Sequence, residues 1–280
     1  MASSKQQADR EFIHMGIQYI SSSDDPSIAP FHLLKDSVLQ NQHGLFAVEG
    51  LFLVQRLLES IYQPYAILLE ESRLQELAGS IPANSQVFIA SKKVISQIAG
   101  FDFHRGVIAL GMRQSLPDIR NFTNFDDRLL FAICPEINDV ENLGSIMRNA
   151  AAFAVDAVLM GPSCCDPFAR RSLRASMGAV LKLALYSSRN LENDLRWLKE
   201  QQDFRFYATV LDENAVSLNQ ARRPHRLGIL FGREAIGLEP EWLSFCDTLL
   251  TIPMQEGVDS LNVGVAAGIV FYHFTQIERG

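Results

Sequence analysis

Positive charge is in short supply in this chain: 25 Lys and Arg face 32 Asp and Glu, for a formal net charge of −7. That disfavours a protein that grips a polyanion through bulk attraction, so any such surface has to be assembled locally. Cysteine is scarce too. Cys134, Cys164, Cys165 and Cys246 form no C-x-x-C pair, so no zinc or other metal site is expected, and the adjacent Cys164 and Cys165 suit a disulfide poorly. They read as reduced, buried thiols of a cytoplasmic protein. No apolar run approaches the roughly 20 residues of a membrane helix. The polar opening MASSKQQADR lacks the apolar stretch of a secretory signal. Internal repeats and low-complexity tracts are missing. So is a G-x-G-x-x-G fingerprint opening a βαβ unit, which argues against a nicotinamide-binding domain.

What is there is an α/β pattern in two parts. At roughly 100–200 residues per domain, 280 residues suggest two, and a 48% hydrophobic content supplies two cores. Residues 1–40 read as an N-terminal arm with a helix around 10–20. A small α/β domain follows at 41–115, with strands at 45–49, 65–70, 86–90 and 106–112 and helices at 50–60, 72–79 and 92–99, the last capped by Ser91. The polar, proline-bearing stretch at 116–127 reads as a linker. From 128 to 280 the alternation restarts with more continuously apolar strands at 129–134, 157–161, 183–187, 206–210, 227–232 and 249–253. Such strands imply a mostly parallel sheet covered on both faces. Helices are expected at 142–153, 166–176, 190–201, 238–245 and 260–276.

Three segments of this second part carry chemistry. The first, DVENLGSIMRNAA at 139–151, follows a strand. Asn142 is expected to cap its helix, Leu143, Ile146, Met147, Ala150 and Ala151 to form the apolar face, and Arg148 to sit at that face's edge. Alone, it is equally a core helix with a surface arginine. The second, GILFGREAIGLEPEWL at 228–243, runs an apolar strand into a loop bearing Gly232 and Gly237. The C-terminal end of a parallel strand is where α/β proteins place ligands, although a plain strand–turn–helix looks the same. The third, TIPMQEGVDSLNVGVAAGIV at 251–270, ends a strand at Pro253 and opens an apolar helix with Ser260 as its cap. Gly264, Ala267 and Gly268 let that helix pack closely; a buried terminal helix needs no function to explain it.

Together N-x-G-x-x-x-R, F-G-x-E-x-x-G-L and I-P-M…S-L-N-V-x-V-A-A, in this order within 128–280, resemble the three motifs of the SpoU (TrmH-like) family of RNA ribose 2′-O-methyltransferases, of the SPOUT superfamily. R-A-S-M-G-A at 174–179 is similar to a stretch these enzymes carry between the first two motifs. Gly264 departs from the family, many members having serine there, and Arg233 stands at a variable position. The first half resembles, more weakly, the ribosomal-protein-like RNA-binding domain of many relatives, on F-A-V-E-G (46–50) and H-R-G-V-I-A (104–109); relatives often carry glutamine in place of Arg105.

The resemblance implies a C-terminal parallel sheet threading a deep trefoil knot, with S-adenosylmethionine bent inside it and held mostly by backbone. By motif match that pocket falls at Gly232, Ile252 and Leu261, with Gly161 nearby. It implies a homodimer, for which the apolar C-terminal helix is a reasonable surface, and no metal. The matched catalytic cast is Asn142, Arg148, Glu234, Ser260 and Asn262. An arginine stays protonated in proteins, so a role for Arg148 on the adjacent phosphate and the developing alkoxide is preferred to that of a base. Contact with RNA is expected from Arg170, Arg171 and Arg174, and from Lys92, Lys93, His104 and Arg105. The two-domain layout points to rRNA rather than tRNA. The competing readings are an RNA-binding protein that kept the fold without catalysis, and a small-molecule methyltransferase. The latter would place a glycine-rich turn after its first strand, whereas this chain puts its ligand loops late.

Overall fold

A computed structural model describes residues 16–32, 38–77, 79–99, 105–125, 128–234, 236–255, 257 and 260–277. The chain divides into two compact units. One comprises Met1–Gln114 together with Phe168–Leu173; the other comprises Ser115–Pro167 and Arg174–Gly280.

Among the described residues the first unit is built on five strands: β1 (Gly16–Ile20), β2 (Leu45–Glu49), β3 (Pro64–Leu69), β4 (Gln86–Ala90) and β5 (Val107–Met112). Their order is β1-β4-β3-β5-β2, and β5 runs antiparallel to both of its neighbours. Helices α1 (Leu51–Leu58), α2 (Glu71–Leu77) and α3 (Lys92–Ala99) follow β2, β3 and β4. The helix expected around 10–20 is corrected over its second half. Residues 16–20 are a strand, paired in parallel with β4 from Gly16↔Gln86 to Ile20↔Ala90. Residues 10–15 lie outside the described residues. A short apolar run is ambiguous by period alone, and here the free edge of β4 decides it by offering a full ladder of backbone partners. The core gathers Ile20, Phe31, Leu68, Phe88 and Ile108, with Phe31 edge-on to Phe88 at 6.2 Å.

Segment Phe168–Leu173 belongs to this unit through its side chains. Phe168 packs 5.1 Å from Phe46 and 5.2 Å from Tyr62, and the Arg113 guanidinium lies 5.1 Å above its ring. Arg170 forms an ion pair of 2.7 Å with Glu49, whose side chain is only 4% exposed. A buried carboxylate is costly without such a partner, so Arg170 is held by an internal need.

Among the described residues the second unit has seven strands, every pairing parallel: β6 (Leu129–Cys134), β7 (Ala157–Met160), β8 (Leu185–Ser187), β9 (Arg205–Thr209), β10 (Val216–Ser217), β11 (Arg226–Leu230) and β12 (Thr248–Thr251). Their order is β10-β12-β9-β11-β6-β7-β8. The expected sheet is present; only the two-residue edge strand β10 adds to it. The helices are α4 (Val140–Ala152), α5 (Arg170–Ala175), α6 (Leu191–Gln201), α7 (Pro240–Phe245) and α8 (Val263–Tyr272), of which α5 starts within Phe168–Leu173. The stretch at 116–127, expected as a linker, is packed rather than free where it is described. Ile119 is fully buried, Phe122 and Phe125 lie against the core, and the backbone of Pro117 accepts from Ser187.

Candidate active site

Helix α4 begins one strand-end loop after β6. Its cap is Asp139, not Asn142: Oδ1 of Asp139 accepts from the backbone N–H of Glu141 at 2.8 Å and of Asn142 at 2.9 Å. Asn142 is thereby placed inside the first turn with its side chain available. Helix α8 begins at Asn262, not Ser260. The Asn262 side-chain oxygen, Oδ1, accepts from the N–H of Gly264 at 2.9 Å and of Val265 at 3.3 Å. Its amide nitrogen donates to Oδ1 of Asn142 at 2.8 Å and to Oε1 of Glu234. Only the oxygen of an amide can accept from backbone N–H groups, so this orientation follows from the chemistry. Asn262 therefore ties together all three motif segments, 120 residues from Asn142 and 28 from Glu234 along the chain.

The two helices meet through small residues. A Cβ on Gly264 would stand 2.5 Å from Cβ of Ser145, and the Asn149 amide donates to the Gly264 carbonyl at 2.7 Å. Glycine at 264 is thus matched to serine at 145: the space is filled from the facing helix.

The loop after β11 is closed on itself. Arg233 and Gly237 exchange backbone hydrogen bonds of 3.0 and 2.8 Å. The Arg233 guanidinium bonds Glu239 and reaches Glu136 at 3.4 Å, fastening the loop to the end of β6. Beside it, where β9, β11 and β12 end, lies a cavity of about 330 Å³ whose walls include Thr209, Gly232, Leu238, Ile252, Leu261 and Val263. Glu234 and Ser260 also border it. A volume at the low end of ligand pockets, apolar walls and few polar groups suit an organic ligand held by backbone.

The profile of the SpoU rRNA Methylase family matches residues 130–272. The chain belongs to that family. An uncharacterized tRNA/rRNA methyltransferase of Mycobacterium tuberculosis is 34% identical over 270 residues, covering 94% of this chain and 93% of that protein. The 23S rRNA (guanosine-2′-O-)-methyltransferase RlmB of Acinetobacter baylyi is 28% identical over 215 residues, covering 75% of this chain and 87% of its own length. The crystal structure of an AdoMet-bound rRNA methyltransferase from Sinorhizobium meliloti superposes with a TM-score of 0.81 at 24% identity, over 92% of this chain and 97% of that one, a likeness of fold. As a SpoU protein, this chain is a methyltransferase whose methyl donor is S-adenosylmethionine.

Against the SpoU motifs, the structure sorts the expected residues. Asn142, Glu234 and Asn262 meet in one hydrogen-bonded cluster, and Ser260 borders the cavity. Gly232, Ile252 and Leu261 line the cavity; Gly161 is not on its wall. Gly161 follows β7, where its N–H bonds the Cys134 carbonyl and a Cβ would lie 2.2 Å from the Pro135 oxygen. Close approach of two strand ends is what calls for glycine there. Arg148 is exposed on α4, makes no hydrogen bond or ion pair among the described residues, and is not on the cavity wall. Arg171 and Arg174 are exposed on α5, whereas Arg170 is half-buried and ion-paired with Glu49. Arg105 is exposed; His104 lies outside the described residues.

Sequence reasoning missed Asp139, Ser145 and the Arg233 clamp. The signal for Arg233 was present as acidic residues at 136 and 239, but nothing local says that those positions meet. The cysteines are free thiols. Burial pushes the Cys164 thiol up to about 11 and those of Cys165 and Cys246 to about 12, so they stay protonated near neutrality. Among the described residues no cluster of three metal-ligating side chains occurs, and no helix is long and apolar enough to cross a membrane.

Proposed function

We propose that this protein methylates a ribose 2′-hydroxyl of rRNA, and that Asn142, Arg148, Glu234, Ser260 and Asn262 serve that reaction. The observation that carries the proposal is the junction at Asn262, which holds the three motif segments together at the border of the cavity. The relatives named 23S rRNA (guanosine-2′-O-)-methyltransferase favour rRNA over tRNA.

S-adenosylmethionine supplies an activated methyl group that carries its own leaving group, so the protein has to orient, exclude water and balance charge. The apolar walls at Leu238, Ile252, Leu261 and Val263 keep water out, and Gly232 presents backbone rather than side chain. Asn262, with its donors and its acceptor all engaged, fixes the loop of Glu234 against α4. Arg148 grips the phosphate beside the target ribose with a forked pair of donors and balances the negative charge that develops on the ribose oxygen. Ser260 holds that hydroxyl in place. The threading of the C-terminal part as a trefoil knot is supported by two late loops, after β11 and after β12, walling one cavity.

The test is transfer of labelled methyl from S-adenosylmethionine to unmodified rRNA and tRNA. Label in rRNA that blocks alkaline cleavage at one nucleotide is expected. Label confined to tRNA would remove the rRNA assignment, and cofactor binding without transfer to either RNA would remove the enzymatic one.

The protein also works as a homodimer in this proposal. Val265, Ile269 and Tyr272 are 51%, 38% and 50% exposed and recur at helical spacing along α8. A stripe of this kind is unstable facing water and suits a second copy of itself. Ile269→Glu with Tyr272→Glu is expected to halve the mass seen by analytical ultracentrifugation. A wild-type chain that sediments as a monomer would refute the dimer.

A further inference from the structure

The loop after β11 is fastened at two consecutive residues, to two different partners. Glu234 accepts from Asn262 at the start of α8, and so belongs to the junction with Asn142. Arg233, one residue earlier, bonds Glu239 at 2.5 Å and reaches Glu136, in the loop after β6, at 3.4 Å. Its backbone is fixed as well, because Arg233 and Gly237 exchange hydrogen bonds. A pull on the guanidinium is therefore passed on to the loop.

Glu136 stands on a firm base. Before it, the Cys134 carbonyl accepts from the N–H of Gly161 at 2.9 Å and from the thiol of Cys164 at 2.9 Å. After it, the Ile137 N–H donates to Sγ of Cys164 at 3.3 Å, and the Ile137 carbonyl accepts from the N–H of Cys165 at 2.8 Å. The loops after β6 and β7 thus hold each other, and Glu136 rides on them. The side chains of Arg233, Glu136 and Glu239 are 24%, 31% and 42% exposed. Partly buried charges are screened less than exposed ones, and one guanidinium shared by two carboxylates forms a network. The two ends of the longer tether differ in place. Arg233 is on the cavity wall, with Glu234, Ile236, Gly237 and Leu238 of the same loop, and Glu136 is not.

We propose that Arg233 is a positioning residue for S-adenosylmethionine: held by Glu136, it sets the loop after β11 against the end of β6 so that the cavity takes the cofactor. Arg233 acts through the loop rather than on the reacting atoms. The pattern F-G-x-E leaves residue 233 open, so the grip on the methyl donor is tuned there without altering the residues proposed for the reaction. This rests on the reading of the cavity as the cofactor pocket and deepens it.

The test uses the full chain, with titration calorimetry of S-adenosylmethionine and kinetics on the RNA that accepts methyl. Arg233→Gln is expected to weaken cofactor binding by roughly 3- to 10-fold and to raise the cofactor KM to match, with the rate at saturating cofactor within about twofold of wild type. Glu136→Gln, a change off the cavity wall, is expected to lose part of that affinity. The double variant is expected to lose no more than Arg233→Gln alone, because both changes remove one contact. The gap between wild type and Arg233→Gln is expected to close as salt rises. Unchanged cofactor affinity in Arg233→Gln, or losses that add in the double variant, would overturn the proposal. So would a lower melting temperature with normal affinity of the folded fraction, which is what a merely structural contact gives. Ile252→Trp fills the cavity and tests the reading beneath: cofactor binding that survives it would mean that the cofactor sits elsewhere, a separate failure.

Discussion

Arg148→Ala is expected to lower the rate of methyl transfer by roughly 10²–10³-fold, the usual cost of removing one preorganised donor aimed at developing charge. The reason to expect a kinetic rather than a structural loss is where the side chain stands. Arg148 is exposed on α4, between buried Met147 and half-buried Asn149, with no hydrogen bond or ion pair among the described residues. Removing such a side chain changes stability by no more than about 0.5 kcal/mol. Cofactor affinity is expected to hold as well, since Arg148 is not on the cavity wall. Turnover, melting temperature and cofactor binding measured on one preparation check all three.

Arg148→Lys separates the two possible duties. Lysine keeps the charge but not the planar fork, so a forked grip on phosphate predicts that most of the loss persists at every pH. A side chain acting as the base predicts instead near-normal turnover along a shifted pH profile. That second outcome would end the phosphate-grip assignment.

How much of this site could be read before folding depends on the range of the interaction. Periodicity within a segment located the parallel strands β6, β7, β9, β11 and β12, because a doubly covered strand is apolar throughout. The three motif segments were legible as a set for the same local reason. Caps were read two or three residues away: Asn142 and Ser260 are both good cap residues by type, yet Asp139 and Asn262 hold the positions. Composition cannot choose between neighbouring candidates when the choice depends on what each side chain meets afterwards. Asn142 is freed for Asn262, and Ser260 for the cavity border. The same limit accounts for Arg170. Three nearby arginines read as one basic face, but Glu49, 121 residues away in sequence, claims one of them. Strand β1 shows the limit for secondary structure, since its partner β4 is 70 positions along the register. A glycine is the reverse case. Motif match placed Gly232 at the pocket and Gly161, at the end of a strand, near it, and only their neighbours tell the two apart.

Those two glycines give the second large effect. Gly232→Ala is expected to weaken S-adenosylmethionine binding by roughly 5- to 100-fold, the equivalent of the 1–3 kcal/mol typical of overpacking. The new Cβ would lie 2.3 Å from the Gly237 carbonyl carbon and 2.5 Å from the Leu238 nitrogen. Both are backbone atoms of a loop closed by the Arg233–Gly237 pair, so neither can rotate away as a side chain would. The loop has to open, which moves Leu238 in the cavity wall and the Glu234 end of the Asn262 junction. Gly161→Ala is the control, because its Cβ meets backbone just as hard, 2.2 Å from the Pro135 oxygen, but off the cavity wall. That variant is expected to lower the melting temperature while the folded fraction binds cofactor normally. Titration calorimetry and thermal melting on both variants decide the matter. Equal loss of cofactor affinity in the two would mean that the fold as a whole, not the loop beside the cavity, holds the ligand.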